Sequence, residues 1–271
     1  VSRHNNSERQ MLVDSHCHLN FEQLSSELDD VVARARAVGV GHMLTIGTKL
    51  REFDAVRAIA EQYDDIHCSV GVHPHEAESE GDEVTAAKLI ELAAHPKVVG
   101  IGETGLDYFY EHAPRELQQK SFRLHIEAAR ETGLPLIVHT RDADEDTVSI
   151  LHEEYGKGPF TGVIHCFSSG WEVAEKSMEI GFYISISGIV TFKASEELRD
   201  HVSRIPVEML LVETDSPFLA PVPKRGKTNE PSFVAHTAAQ VAKLKGLEPD
   251  QLATITTDNF FTLFNKIERK L

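Results

Sequence analysis

The segment Val13-Asp14-Ser15-His16-Cys17-His18 holds two histidines one residue apart. On a strand, a period of two turns both imidazoles to one face and sends Cys17 to the other. Alone, such a pair is as readily a hydrogen-bonded core pair as a metal site. Four further segments decide between these. Glu103 follows Val98-Val99-Gly100-Ile101-Gly102, His139 follows Leu136-Ile137-Val138, His165 follows Val163-Ile164, and Asp215 follows Leu210-Leu211-Val212-Glu213-Thr214. Any one of them would ordinarily be a satisfied buried polar residue. Four histidines, one glutamate and one aspartate at corresponding ends of five strands predict a metal centre instead. Imidazole and carboxylate donors without thiolate suit zinc, manganese, iron or nickel.

Six donors exceed what one catalytic zinc takes, which is about three protein ligands and an open position. Two cations are therefore expected. His16, His18 and Asp215 fall on strands that become neighbours when a barrel closes, and His139 and His165 come from adjacent strands. Glu103 is placed to bridge the two sets, with the ions about 3.5 to 4 Å apart.

The elements that must position these groups alternate. Strand-type runs at 11–18, 42–47, 67–73, 98–103, 135–141, 162–167, 182–189 and 209–215 are separated by amphipathic stretches such as 29–38, 52–62, 86–94, 116–131 and 172–180. Alternation of this kind predicts a parallel sheet covered by helices. A doubly wound open sheet fits it as well. The absence of a GxGxxG turn after the first strand and the polar residues at nearly every strand end favour a TIM-type (β/α)8 barrel with a C-terminal helical extension, whose active site lies at that end. One domain over 11–271 is expected, since such barrels commonly need about 250 residues. The polar stretch 1–10 is expected to be flexible or a remnant of recombinant expression.

Composition bounds the rest. With 41% hydrophobic and 26% charged residues the chain reads as an ordinary globular protein. It has neither an apolar run long enough to span a membrane nor the apolar core of a signal peptide, so a cytoplasmic location is expected. Cys17, Cys68 and Cys166 lack paired spacing and read as reduced thiols. A net charge of −16 argues against broad adhesion to polyanions. A phosphate-bearing substrate must then be held locally. The candidates are His73 and Arg141 near the strand ends, and Lys224, Arg225 and Lys227 in the Pro-rich loop 221–231. A solvated loop, or an Arg141 ion pair with Asp142, Asp144 or Asp146, is the plain alternative. His75 follows a proline, and parity leaves its direction open. Glu213, two residues before Asp215, is expected one layer deeper, accepting from a ligand imidazole.

The motifs DSHCHL (14–19), GVHPH (71–75), GETGLDY (102–108), HTRDA (139–143), IHCFSS (164–169), SISG (185–188), ETDSPFL (213–219) and NEP (229–231) together resemble the TatD-related metal-dependent hydrolases. These belong to the amidohydrolase superfamily and are often described as deoxyribonucleases. The resemblance spans residue 11 to the C-terminus and departs where Ser169 precedes Gly170. It implies His16, His18, Glu103 and Asp215 on one metal and Glu103, His139 and His165 on the other, the grouping already reached from strand order. It also implies a phosphodiesterase acting on DNA; because the acidic remainder of the chain repels long duplexes, single strands or frayed ends are expected to be preferred. In that reaction water activated by the two divalent cations (Zn, Mn, Mg or Ni) attacks phosphorus, Asp215 acts as general base and Glu103 as the catalytic bridge. Hydrolysis of a small amide, ester or phosphoester on the same metal site is the alternative.

Overall fold

The computed structural model describes residues 11–269, so the expectation for residues 1–10 lies outside the described residues. Eight strands form one sheet in chain order: β1 Leu12–Cys17, β2 Val40–Thr45, β3 Ile66–Val70, β4 Val98–Asp107, β5 Leu136–Arg141, β6 Gly162–Ile164, β7 Tyr183–Ile186 and β8 Leu210–Val212. Every neighbouring pair is parallel. An isolated parallel bridge between Cys17 and Ser216 joins the first strand to the segment after the last. The architecture is the expected TIM-type barrel.

That seam runs through the candidate site. Asp215 donates its backbone N–H to the His16 carbonyl at 2.9 Å, and His18 donates to Ser216 at 2.8 Å. Beneath them the buried Asp14 carboxylate accepts from the Thr214 backbone and hydroxyl. Burial pushes Asp14 up to about 8, against the lowering effect of those hydrogen bonds.

Helices cover the outside at Leu28–Ala37, Phe53–Gln62, Ala86–Ala93, Arg115–Thr132, Asp144–Tyr155, Trp171–Glu179, Glu196–Arg204 and Val234–Lys245. Phe53, Val56, Ile59 and Ala60 of the second are buried, a spacing of three to four that gives a helix one apolar face. The extension, Pro249–Leu263, begins with proline at its first turn and a reciprocal Glu248–Gln251 capping box.

Two apolar clusters divide the molecule. The larger fills the layer between strands and helices; the smaller, inside the barrel, joins Val13, Leu44, Ile46, Val99, Ile137, Val163 and Leu211 to Phe260, Leu263, Phe264 and Ile267. The C-terminal extension thus plugs the N-terminal end of the barrel. Lys266 fastens it by donating to the carbonyls of Ala93, His95 and Val98 at 3.0, 2.9 and 2.7 Å. With one end filled by side chains, the opposite end is left for chemistry.

Candidate metal centre and active site

Strict alternation from Val13, which faces the barrel interior, would turn His16 outward. A register irregularity between Asp14 and Cys17 in the β1–β2 pairing resets it. Ser15 still reaches inward, donating to the Val212 carbonyl at 2.9 Å and meeting the Ser185 hydroxyl at 3.0 Å. His16 and His18 then enter the mouth, while Cys17 joins the outer cluster as its place between them predicts. A second irregularity, between Ile101 and Thr104, precedes the functional part of β4. There Gly102 has φ +134, and a Cβ would lie 2.5 Å from the Ile137 carbonyl. Only glycine fits this approach, and it seats Glu103 against β5.

Glu103 is buried at the centre of five imidazoles, and its two oxygens face different sets. Oε2 lies 3.3 Å from His16 Nε2 and 3.8 Å from His18 Nε2. Oε1 lies 2.8 Å from His165 Nε2, 3.1 Å from His139 Nδ1 and 3.4 Å from His73 Nε2. Asp215 Oδ1 stands with the first set, 3.3 Å from His18 Nε2 and 3.6 Å from His16 Nε2. Asp215 itself has φ +55, a left-handed conformation held by its N–H bond to His16 and by Phe218 donating back to its carbonyl at 3.0 Å.

Electrostatics follow from this crowding. Burial alone would raise Glu103, but the His165, His73 and His16 imidazoles and the His139 hydrogen bond hold it well below the usual carboxylate range. Burial would likewise lower His165, yet Glu103 and Glu213 push it well above an ordinary histidine. His139 is raised despite burial, by its bonds to Asp107 and Glu103. Burial and repulsion from His165 lower His16 despite the Glu103 carboxylate. Burial lowers His73 to about 4 even beside Glu103. Asp215 stays below its usual value against burial, through its His18 hydrogen bond and the nearby His165 and His16.

The residues present fit a divalent cation. Both nitrogens of His16 and Nδ1 of His18 are buried without a hydrogen-bond partner among the described residues, a costly arrangement unless a further group completes it. Three groups of donor atoms converge closely enough to hold an ion: His16, His18 and Glu103; His73, Glu103 and His139; and His16, His165 and Glu213. Only the first falls within an expected set: the second has His73 where His165 was expected, the last joins Glu213 to one histidine from each set, and Asp215 enters none of the three. Glu213 Oε1 meets His165 at Nδ1, 3.2 Å away, while the other ring nitrogen faces Glu103, so Glu213 stands behind His165 and orients it.

Sequence reasoning missed Asp107. Its Oδ2 lies 3.0 Å from His139 Nε2 and 2.9 Å from His75 Nε2, doing for His139 what Glu213 does for His165. Despite burial, the His139 and His75 bonds and a backbone bond from Tyr110 hold Asp107 far below the carboxylate range. A signal was present, because Asp107 lies four residues after Glu103 on one strand and shares its parity. His75, whose direction parity left open, lines the cavity through this contact.

A cavity of about 650 Å³ opens over the cluster, lined among others by His18, His73, Asp107, Tyr110, Arg141 and Phe218. Arg141 makes no ion pair with Asp142, Asp144 or Asp146; its guanidinium lies over the Phe109 and Tyr110 rings at 4.0 and 4.8 Å. Lys49 also lines the cavity, a cation that sequence reasoning did not single out, and it pairs with Glu52 at 3.1 Å. Lys224, Arg225 and Lys227 are not among the lining residues. Lys224 lies over Phe233 at 5.3 Å, and Arg225 rests on Phe192 at 3.8 Å and donates to the Ala220 carbonyl. Ser168 lines this cavity and Ser169 the adjoining cleft, away from His165.

A parallel barrel with a histidine–carboxylate cluster at its C-terminal mouth defines a metal-dependent hydrolase. The chain belongs to the TatD related DNase family, whose model matches residues 13–265. It is 47% identical over 257 residues to the metal-dependent hydrolase YcfH of Escherichia coli K12, covering 94% of this chain and 96% of that protein. It is 36% identical to a protein of Escherichia fergusonii named 3'-5' ssDNA/RNA exonuclease TatD, covering 93% and 98% of the two chains. The crystal structure of YJJV, a TatD homologue from Escherichia coli K12, superposes with a TM-score of 0.88 at 29% identity, covering 95% of this chain and 99% of that one. No helix among the described residues is long and apolar enough to cross a membrane.

Proposed function

We propose that this chain is a cytoplasmic phosphodiesterase acting on DNA, single strands or frayed ends first, at a dinuclear centre. His16, His18, Glu103 and Asp215 would hold one cation; Glu103, His139 and His165 would hold the other. The observation that carries this reading is the division of Glu103, one oxygen toward His16 and His18 and the other toward His165 and His139. When bound, divalent cations would acidify a water molecule and offset charge on the phosphoryl oxygens. Asp215, at the edge of the cluster, accepts the proton of the attacking water. Asp107 and Glu213 fix the His139 and His165 rings. Arg141 and His73 face the cavity, where a phosphate can be received. The relative named for exonuclease action on single-stranded DNA and RNA supports the substrate class.

A panel tests the reading: single-stranded DNA, duplex DNA, RNA and small esters, each assayed with magnesium, manganese and zinc. Single-stranded DNA is expected to be cleaved fastest. Turnover of a small amide or ester with every nucleic acid left intact would replace the reading by its alternative.

A further inference from the structure

Large apolar side chains left exposed among the described residues are six: Val38, Phe109, Tyr110, Leu117, Phe218 and Val222. The three aromatic ones, 55%, 50% and 48% exposed, all stand at or against the mouth of the catalytic cavity. Leaving such rings in water forfeits burial that folding would otherwise use. They form two ledges. On the β1/β8 side, Phe218 meets Phe21 edge to face at 5.9 Å, and Phe21 stacks on His18 at 4.8 Å. On the β4/β5 side, Tyr110 packs with Phe109 at 4.8 Å and stacks on His112, 5.4 Å away with the ring planes 5° from parallel. In the closed strand order these sides are half a barrel apart, with Glu103 and its imidazoles between them.

Arg141 distinguishes the second ledge from a merely apolar patch. Its guanidinium stands 4.0 and 4.8 Å from the Phe109 and Tyr110 ring centroids, leaves both residues half exposed and has no ion pair among the described residues, on a chain of net charge −16. A ring with a free guanidinium upon it suits a ligand that alternates flat π-faces with anions.

We propose that the two ledges are stacking platforms for the bases on either side of the scissile phosphodiester. Tyr110 with Phe109 would receive one base and Phe218 with Phe21 the other, while Arg141 contacts the adjoining phosphate. The proposal rests on the phosphodiesterase reading and deepens it. Bases within a duplex have their faces covered by neighbours, so only a single or frayed strand offers free faces to two ledges at once.

The test compares a short oligothymidylate with an abasic strand of equal length, using the metal-loaded wild type, Tyr110→Ala, Phe218→Ala and the distant surface control Val38→Ala. Base–aromatic stacking predicts that each mouth variant raises KM for oligothymidylate roughly 5- to 150-fold, with a much smaller rise on the abasic strand. Tyr110→Phe and Phe218→Tyr should retain wild-type KM, which separates the ring from the fold, and Val38→Ala should change nothing. Equal losses on both strands, or no loss on oligothymidylate, would overturn the platforms. If the wild type cleaves neither strand, the phosphodiesterase reading falls, and fluorescence anisotropy of the two labelled strands decides the ledges separately. Equal binding of both strands, or unchanged binding by the alanine variants, would then overturn the proposal.

Discussion

Histidines cluster at both ends of this barrel, where burial lowers His16 and His73 as it lowers His42 and His67, but only at the mouth do carboxylates push any of them up. At the C-terminal mouth, His139 and His165 meet the carboxylates of Asp107, Glu103 and Glu213 and are pushed up. At the N-terminal end, His42 Nε2 and His67 Nδ1 share a 3.1 Å hydrogen bond, and His42 packs on Phe260 and Phe261. Burial lowers His42 to about 4 and, with His42 and Lys97 nearby, lowers His67 to about 3. One residue type thus serves two ends. Carboxylate neighbours make an imidazole cluster suited to cations, whereas an aromatic plug keeps the other pair neutral and structural.

The largest expected effect lies at the mouth. Glu103→Ala removes the carboxylate that faces both imidazole sets, and two cations would then repel each other with less neutralisation. Activity should fall about a thousandfold or more, and metal analysis of the folded variant should find at most one tightly held equivalent. Two equivalents would show that the bridge, and with it the pairing of ligands, is wrong. His18→Ala and His139→Ala should each weaken mainly one ion. Next comes Asp215→Asn, which keeps the shape but removes a charge and the proposed base; kcat should drop by about 100- to 10,000-fold. Near-normal turnover with both metals bound would exclude Asp215 as an essential base.

At the plugged end the same logic predicts stability without catalysis. Phe264→Ala should cost about 3 to 5 kcal/mol, read as an earlier denaturation midpoint, with kcat of the folded fraction preserved. A large kcat loss at unchanged stability would blur the division between the ends. The pH dependence sharpens it further. His42 and His67 bind protons more weakly folded than unfolded, so the unfolded chain takes up more protons below about 6.5. The stability they contribute is therefore present above about 6.5 and is lost as pH falls toward about 4 for His42 and about 3 for His67. Urea midpoints across this window should fall less steeply in His42→Gln. An unchanged slope would remove the pair from the account of acid sensitivity.

The smallest effect concerns the loop beyond the mouth. Neutralising Lys224, Arg225 and Lys227 together should raise KM modestly for long single strands and reduce the salt slope by roughly 0.7 for each phosphate that the loop no longer neutralises. Hydrolysis of a small phosphodiester should stay nearly unchanged; equal losses on both substrates would deny the loop any role in gripping DNA.

The alternating apolar runs announce all eight strands, because a strand buried in a parallel sheet must be apolar along its length wherever it is read. The six candidate ligands are legible for a related reason: each is a polar residue that ends such a run, and in a barrel those ends converge. Asp107 could have been found by parity with Glu103. The direction of His75 could not, since it depends on a contact with another strand.

Other features belong to the tertiary structure alone. Local alternation is a property of a strand, but the register shift that admits both His16 and His18 is decided by the pairing of β1 with β2. The sequence determined which side chains were available at the rim. Only the closed barrel decided that Glu103 divides its oxygens between two imidazole sets, that Phe260 and Phe264 fill one end, and that Arg141 lies on an aromatic ledge while Arg225 folds away. Each is a contact between segments far apart in the chain, and its energy exists only once those segments meet.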